Sequence, residues 1–246
     1  MRLSTMRSGN PALNSKTFKN IKADDGQIMT LEGAINKISV SVLILFCTAF
    51  YSWTQNNPSF IMIGIIGGLI CAVITIFKKD LSPYTVPAYA ALEGLALGAI
   101  SFYFEQIYPG IAGQAVFLTF GIMTALLFAY KTKIIKVTEN FKLGVFAATA
   151  GIGIVYLINF IMSFWGTGIS VMNIQNSSIY SIGFSIFVIA IASMNLVLDF
   201  DFIEEAAESN VPKYMEWYAA FGLLVTLIWL YLEILRLLAK LNSRRN

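Results

Sequence analysis

Seven apolar runs, each long enough to cross a hydrocarbon layer, constrain this chain more than any other feature of it. They lie at roughly Leu31 to Trp53, Phe60 to Phe77, Pro87 to Phe104, Gly113 to Tyr130, Phe141 to Phe164, Ile179 to Phe200 and Met215 to Leu241. Hydrocarbon offers a peptide group no hydrogen-bond partner, so a spanning segment of about 20 apolar residues must be a helix that satisfies its own backbone. With 57% hydrophobic and 13% charged residues in a chain of 246, the fold class is an all-α membrane protein, a seven-transmembrane-helix bundle. The connections are short, so residues 30–246 are expected to form one transmembrane domain. Residues 1–29 are polar and lack the apolar core of a signal peptide, and they are expected to be a retained tail.

The 17 Lys and Arg residues are unevenly distributed although the formal net charge is only +3. Arg2, Arg7, Lys16, Lys19, Lys22 and Lys37 precede or open the first span. Lys78 and Lys79 lie in the second connection and Lys131, Lys133 and Lys136 in the fourth, while the first, third and fifth connections carry none. The positive-inside rule then puts the N-terminus of a multi-pass protein in the cytoplasm. Arg236, Lys240, Arg244 and Arg245 conflict with this if the last segment crosses fully, and agree with it if that segment re-enters. The small net charge argues against a nucleic-acid partner, leaving the lipid bilayer as the certain surroundings.

Several reaction classes find no support. The chain has no His, the commonest metal ligand and the usual general base near neutral pH. Cys47 and Cys71 each lie inside an apolar run and read as packing residues, and there is neither a Gly-rich phosphate loop nor the GxGD motif of an intramembrane aspartyl protease. The protein is therefore read as no enzyme and as carrying no cofactor other than a candidate calcium ion. Three small-xxx-small pairs, Gly64 with Gly68, Gly94 with Gly98 and Ala147 with Gly151, are expected where helices approach closely.

Polar residues within the runs carry the functional signal, because intramembrane charge is costly. NLVLDFDFIEEAAES, Asn195 to Ser209, takes an apolar run into Asp199, Asp201, Glu204, Glu205 and Glu208. Asp201 to Glu208 are expected in a solvated loop past the helix end, whereas Asp199 is innermost. Asn195 and Asp199 share a helix face with Ala192, Val188, Ser185 and Ser181, a stripe of small and polar residues suited to the wall of a wet cavity. Glu93 is expected to face the bundle interior, ~9 Å into a third helix starting at Pro87. Lys37 either snorkels or neutralises a carboxylate such as Asp199. Asn159 is expected to make an interhelical hydrogen bond, and Glu233 to pair with Arg236 on its own helix.

The order of several motifs resembles one family. SGNPAL at Ser8 to Leu13, MTLEGAINK at Met29 to Lys37, Pro87 followed by LEGLALG at Leu92 to Gly98, the acidic end of the sixth helix and the final LYLEILRLLAKL are similar to the bacterial branch of the Bax inhibitor motif transmembrane, or YccA-like, family. The resemblance implies a central last helix wrapped by the other six. It also implies a pH-sensitive calcium leak, or a regulator of cell death or of membrane protein quality control. The family's acid on the sixth helix falls on Asp199, four residues before Ile203. Its second acid, ten residues before the Arg of the last helix, falls on Thr226 when that Arg is aligned with Arg236. A hydroxyl cannot share a proton as a second carboxylate does, so Asp201, Glu204 or Glu93 would have to substitute.

Two readings follow. One is an ion pathway with Asp199, Asp201, Glu93, Asn195, Lys37 and Thr226 as pathway or gating residues. In it Asp199, Asp201 and Glu93 are candidate ligands for calcium, which takes hard oxygens. Asp199 and Asp201 are ~200° apart on an ideal helix, so both can reach one ion only if the helix unwinds. The other is a non-conducting scaffold whose tail and acidic segment dock a membrane protease or chaperone.

Overall fold

A computed structural model describes residues 28–245, so the SGNPAL motif and the basic residues of the polar tail lie outside the described residues. Helices α1 (Leu31–Gln55), α2 (Ser59–Phe77), α3 (Ser82–Ile107), α4 (Ile111–Lys131), α5 (Glu139–Ser163), α6 (Ile179–Glu208) and α7 (Met215–Arg245) account for most of them. All seven are long and apolar enough to cross a membrane. Large apolar side chains such as Phe50, Phe77, Phe117 and Phe160 point outward, as a protein dissolved in lipid requires. This is a multi-pass, all-helical membrane protein.

Local chemistry sets the helix ends. Thr30 and Thr138 cap α1 and α5, their hydroxyls accepting from Gly33 N and Phe141 N. Asn56 closes α1 in the left-handed region at φ 49°, and Gly110 enters α4 at φ 84°. Two boundaries differ from the sequence expectation. Helix α3 starts at Ser82 rather than Pro87, because Pro83 falls in the first turn, where a missing N–H costs nothing, and Pro87 is absorbed one turn later. Helix α6 does not stop at Phe200 but runs to Glu208, so the five acids are helical and not in a loop. Phe202, Ile203 and Ala206 bury one face of this extension while Asp201, Glu204 and Glu205 are half-exposed. The helix ends where the Ser209 hydroxyl bonds Glu205 O and Asn210 turns left-handed at φ 51°.

The described residues fall into two compact units. The first holds 28–107 and Asp199–Val225, and the second holds Tyr108–Leu198 and 226–245, so α6 and α7 each contribute to both. In the first unit α3 packs against α1 and α2. Glycines allow it: a Cβ on Gly98 would lie 2.1 Å from Ala49 O, and one on Gly64 would lie 2.5 Å from Leu92 O. Ser52 donates to Leu95 O at 2.7 Å and Thr75 to Thr85 Oγ1 at 2.6 Å, adding polar bonds across the same helix pairs. Helix α7 enters this unit through Phe221, edge-on to Tyr89 at 5.0 Å. The second unit is built on Ile152, Val188 and Ile191, with Ala148, Tyr156, Phe184 and Trp229 around them. Helix α7 is the most buried of the seven, with 67% of its apolar window enclosed against 11% for α1 and α5.

The third small-residue pair behaves differently, since a Cβ on Gly151 would meet nothing within 4 Å. Gly98→Val should therefore cost about 1 to 3 kcal/mol by overpacking backbone against backbone, whereas Gly151→Ala should leave thermal unfolding in detergent unchanged or slightly raised. Equal melting temperatures for the two variants would contradict the close α1–α3 approach.

Candidate functional site

On α6, the stripe read from the sequence is enclosed along its whole length. Ser181, Ser185, Val188, Ala192, Asn195 and Asp199 are all buried, at four- and three-residue steps on one helix face. Asp199 is fully buried and lies nine residues before the helix end. Asn195 donates from Nδ2 to Thr149 Oγ1 of α5 at 2.7 Å and to Ile191 O at 2.9 Å, while its Oδ1 is buried with no hydrogen-bond partner. Because α6 is unbroken through Asp199 and Asp201, these two acids face different directions, and the unwinding that shared ligation of calcium would need is absent. Among the described residues no three His, Cys, Asp or Glu side chains come together as a metal site. Thr226 is buried on α7.

The first unit carries the remaining predicted residues. Glu93 lies eleven residues into α3, not six, and is half-buried with its carboxylate over α2; a Cβ on Gly68 would fall 2.5 Å from its Oε1. The pairing of Lys37 with a carboxylate is not found. Its Nζ sits over the Trp217 ring, 5.2 Å from the centroid, a cation–π contact in place of the ion pair that is the alternative to snorkelling.

Sequence reasoning missed a buried acid here. Glu216, in the first turn of α7, accepts from Thr30 N at 3.2 Å and from Thr30 Oγ1 at 3.3 Å, while Thr30 caps α1. A Cβ on Gly33 would lie 2.0 Å from Glu216 Oε1, so the Gly of MTLEG makes room for that carboxylate. Met29 N donates to Val211 O at 2.8 Å and Ser82 Oγ to Tyr214 O at 2.8 Å, fastening α1 and α3 to the α6–α7 connection. The only signal in the sequence was an acid at a helix N-terminus, where the positive end of the dipole favours it.

In the second unit Glu233 pairs with Arg236 as expected. It also accepts a hydrogen bond from Tyr156 of α5, a partner that sequence could not supply. Its other carboxylate oxygen, Oε2, is buried without a hydrogen bond. Asn159 departs from expectation: its Oδ1 accepts from Ile169 N at 2.8 Å, within the connection after its own helix, and not from another helix. Lys240, read as part of a basic C-terminus, is fully buried.

The arrangement thus offers a buried polar face on α6 ending in one carboxylate, and separate clusters around Glu216, Glu233 and Lys240. The family described as Bax inhibitor 1 like matches residues 10–243. A comparison with the curated proteins finds no match.

Replacing Glu216 tests the fastening of α1. Glu216→Gln keeps an acceptor oxygen for Thr30 and should change stability little, whereas Glu216→Leu removes the acceptor of both Thr30 bonds and should cost about 0.5 to 1.5 kcal/mol, since the exposed Thr30 donors can turn to water. Thermal unfolding of the purified protein reads the difference, and equal losses for the two variants would show that the hydrogen bonds contribute nothing.

Proposed function

This chain belongs to the Bax inhibitor 1 like family, and from that premise we propose that it provides a cation leak pathway, with calcium as the candidate ion, along the buried face of α6. The observation that carries the reading is Asp199, a fully buried carboxylate one turn from the buried Asn195 on the same face of α6. A carboxylate and the amide oxygen of Asn195, which accepts no hydrogen bond, supply hard oxygen ligands of the kind a dehydrating cation needs. Lys37 is engaged with Trp217, so Asp199 rather than an Asp199–Lys37 latch is the group that meets a passing ion in this proposal. Glu93 and Asp201, on other faces, act as entry groups.

The test is calcium entry into dye-loaded liposomes holding the purified protein, between about pH 6 and pH 8, where a buried carboxylate can titrate. Asp199→Asn removes the single carboxylate on that face and should reduce entry several-fold while flattening whatever pH response the wild type has. Asp201→Asn should do less. If wild type, Asp199→Asn and empty liposomes admit calcium alike at every pH, the leak reading is overturned, and a non-conducting scaffold that docks a membrane protease or chaperone takes its place.

The same proposal places the N-terminus in the cytoplasm of a cell whose inner membrane holds the chain, from the loop distribution of Lys and Arg. A reporter active only in the cytoplasm should work when fused after Lys136 and be silent when fused at Gly166. The reverse pattern would invert the topology, and a fusion after Asn246 reports the side on which α7 ends.

A further inference from the structure

Lys240 lies in the last turns of α7, where a lysine ordinarily extends its stem and keeps its charge in water. Here the side chain turns inward and is fully buried. Its Nζ meets three oxygens: Val171 O at 2.8 Å, Ser185 Oγ at 3.0 Å and Ser181 O at 3.2 Å. An ammonium has three N–H donors and no acceptor, so the set is complete. Ser181 Oγ also donates to Val171 O at 2.8 Å, tying two sides of the cage together.

None of these oxygens carries a formal charge. The acid two turns earlier on the same helix, Glu233, is occupied by Arg236 and Tyr156. The groups in contact with the ammonium are therefore all neutral dipoles, by the same chemistry with which rings of backbone carbonyls replace the hydration shell of a monovalent cation in a filter, while the charges of Glu233 and Arg236 act on it only from a distance. A leucine or methionine would fill the volume without the cost of burying a charge, so packing does not account for a lysine at this position.

We propose that Val171 O, Ser181 O and Ser185 Oγ form a monovalent-cation site, specific for a primary ammonium, that the chain fills with its own lysine. The tethered cation clasps the 3-10 turn Ser170–Met172 and the first turns of α6 to the end of α7. The site lies wholly in the second unit, and it does not depend on the leak reading.

The experiment pairs hydrogen exchange with chemical rescue on the full-length protein in detergent. Lys240→Ala empties the cage and should accelerate amide exchange of residues 169–178 at least about tenfold, the factor expected for losing hydrogen bonds to a charged group. Exchange in α1 to α3 should not change. Millimolar n-butylammonium chloride, which restores stem and charge together, should slow that exchange saturably, whereas n-butanol or equal sodium chloride should not. Lys240→Met, which fills the stem volume without the charge, should exchange fast and ignore butylammonium. Should Lys240→Ala fail to fold, Ser185→Ala carries the test, because loss of one of three acceptors should still speed exchange in 169–178. Wild-type protection in Lys240→Met or Ser185→Ala, or equal rescue of Lys240→Ala by n-butanol, would overturn the cation site.

Discussion

Hydrocarbon cannot hydrogen-bond, and every polar group placed within it needs a partner supplied by the protein. The backbone meets this demand by being helical over seven spans. Many side chains meet it in small groups: Ser52 with Leu95 O, Thr75 with Thr85, Asn195 Nδ2 with Thr149, Glu216 with Thr30, Lys240 with three oxygens, while Asn195 Oδ1 and Glu233 Oε2 are left without a hydrogen-bond partner. Such bonds are individually modest, about 1 kcal/mol or less in membranes, yet they decide which helix faces can meet because the unpaired alternative costs more.

Helices α6 and α7 concentrate these groups. Their apolar residues make them credible spans, but both run beyond the hydrocarbon thickness: 30 residues of α6 at ~1.5 Å each give ~45 Å against a core of ~30 Å. The bilayer bounds the apolar run and not the helix, which explains why α6 continues through its acids when a hydropathy reading ends it at Phe200. Because the helix continues, Asp199 is enclosed well before its end and is separated in direction from Asp201. A loop would have exposed both.

Glycine usage reveals the same logic on a smaller scale. Gly64, Gly94 and Gly98 stand where another helix's backbone approaches, and Gly33 and Gly68 where a carboxylate does. Gly151 has the same spacing from Ala147 and no such neighbour. Spacing identifies a surface on which close approach is possible. Whether a partner comes there depends on the partner's own surface.

The sequence by itself determined the seven spans, the helical class, the family, the shared helix face of Ser181 to Asp199 on α6 and the Glu233–Arg236 pair, because each follows from a local property: run length, periodicity, motif order or spacing along one helix. Only the tertiary structure decided that Lys37 lies over Trp217, that Glu216 caps with Thr30, that Tyr156 joins Glu233, and that Lys240 turns inward to oxygens about 55 to 70 positions earlier. Each of these joins residues far apart in the chain. The choice between snorkelling and burial for a charged side chain is set by the acceptors that another helix brings within about 3 Å, a quantity no single segment contains.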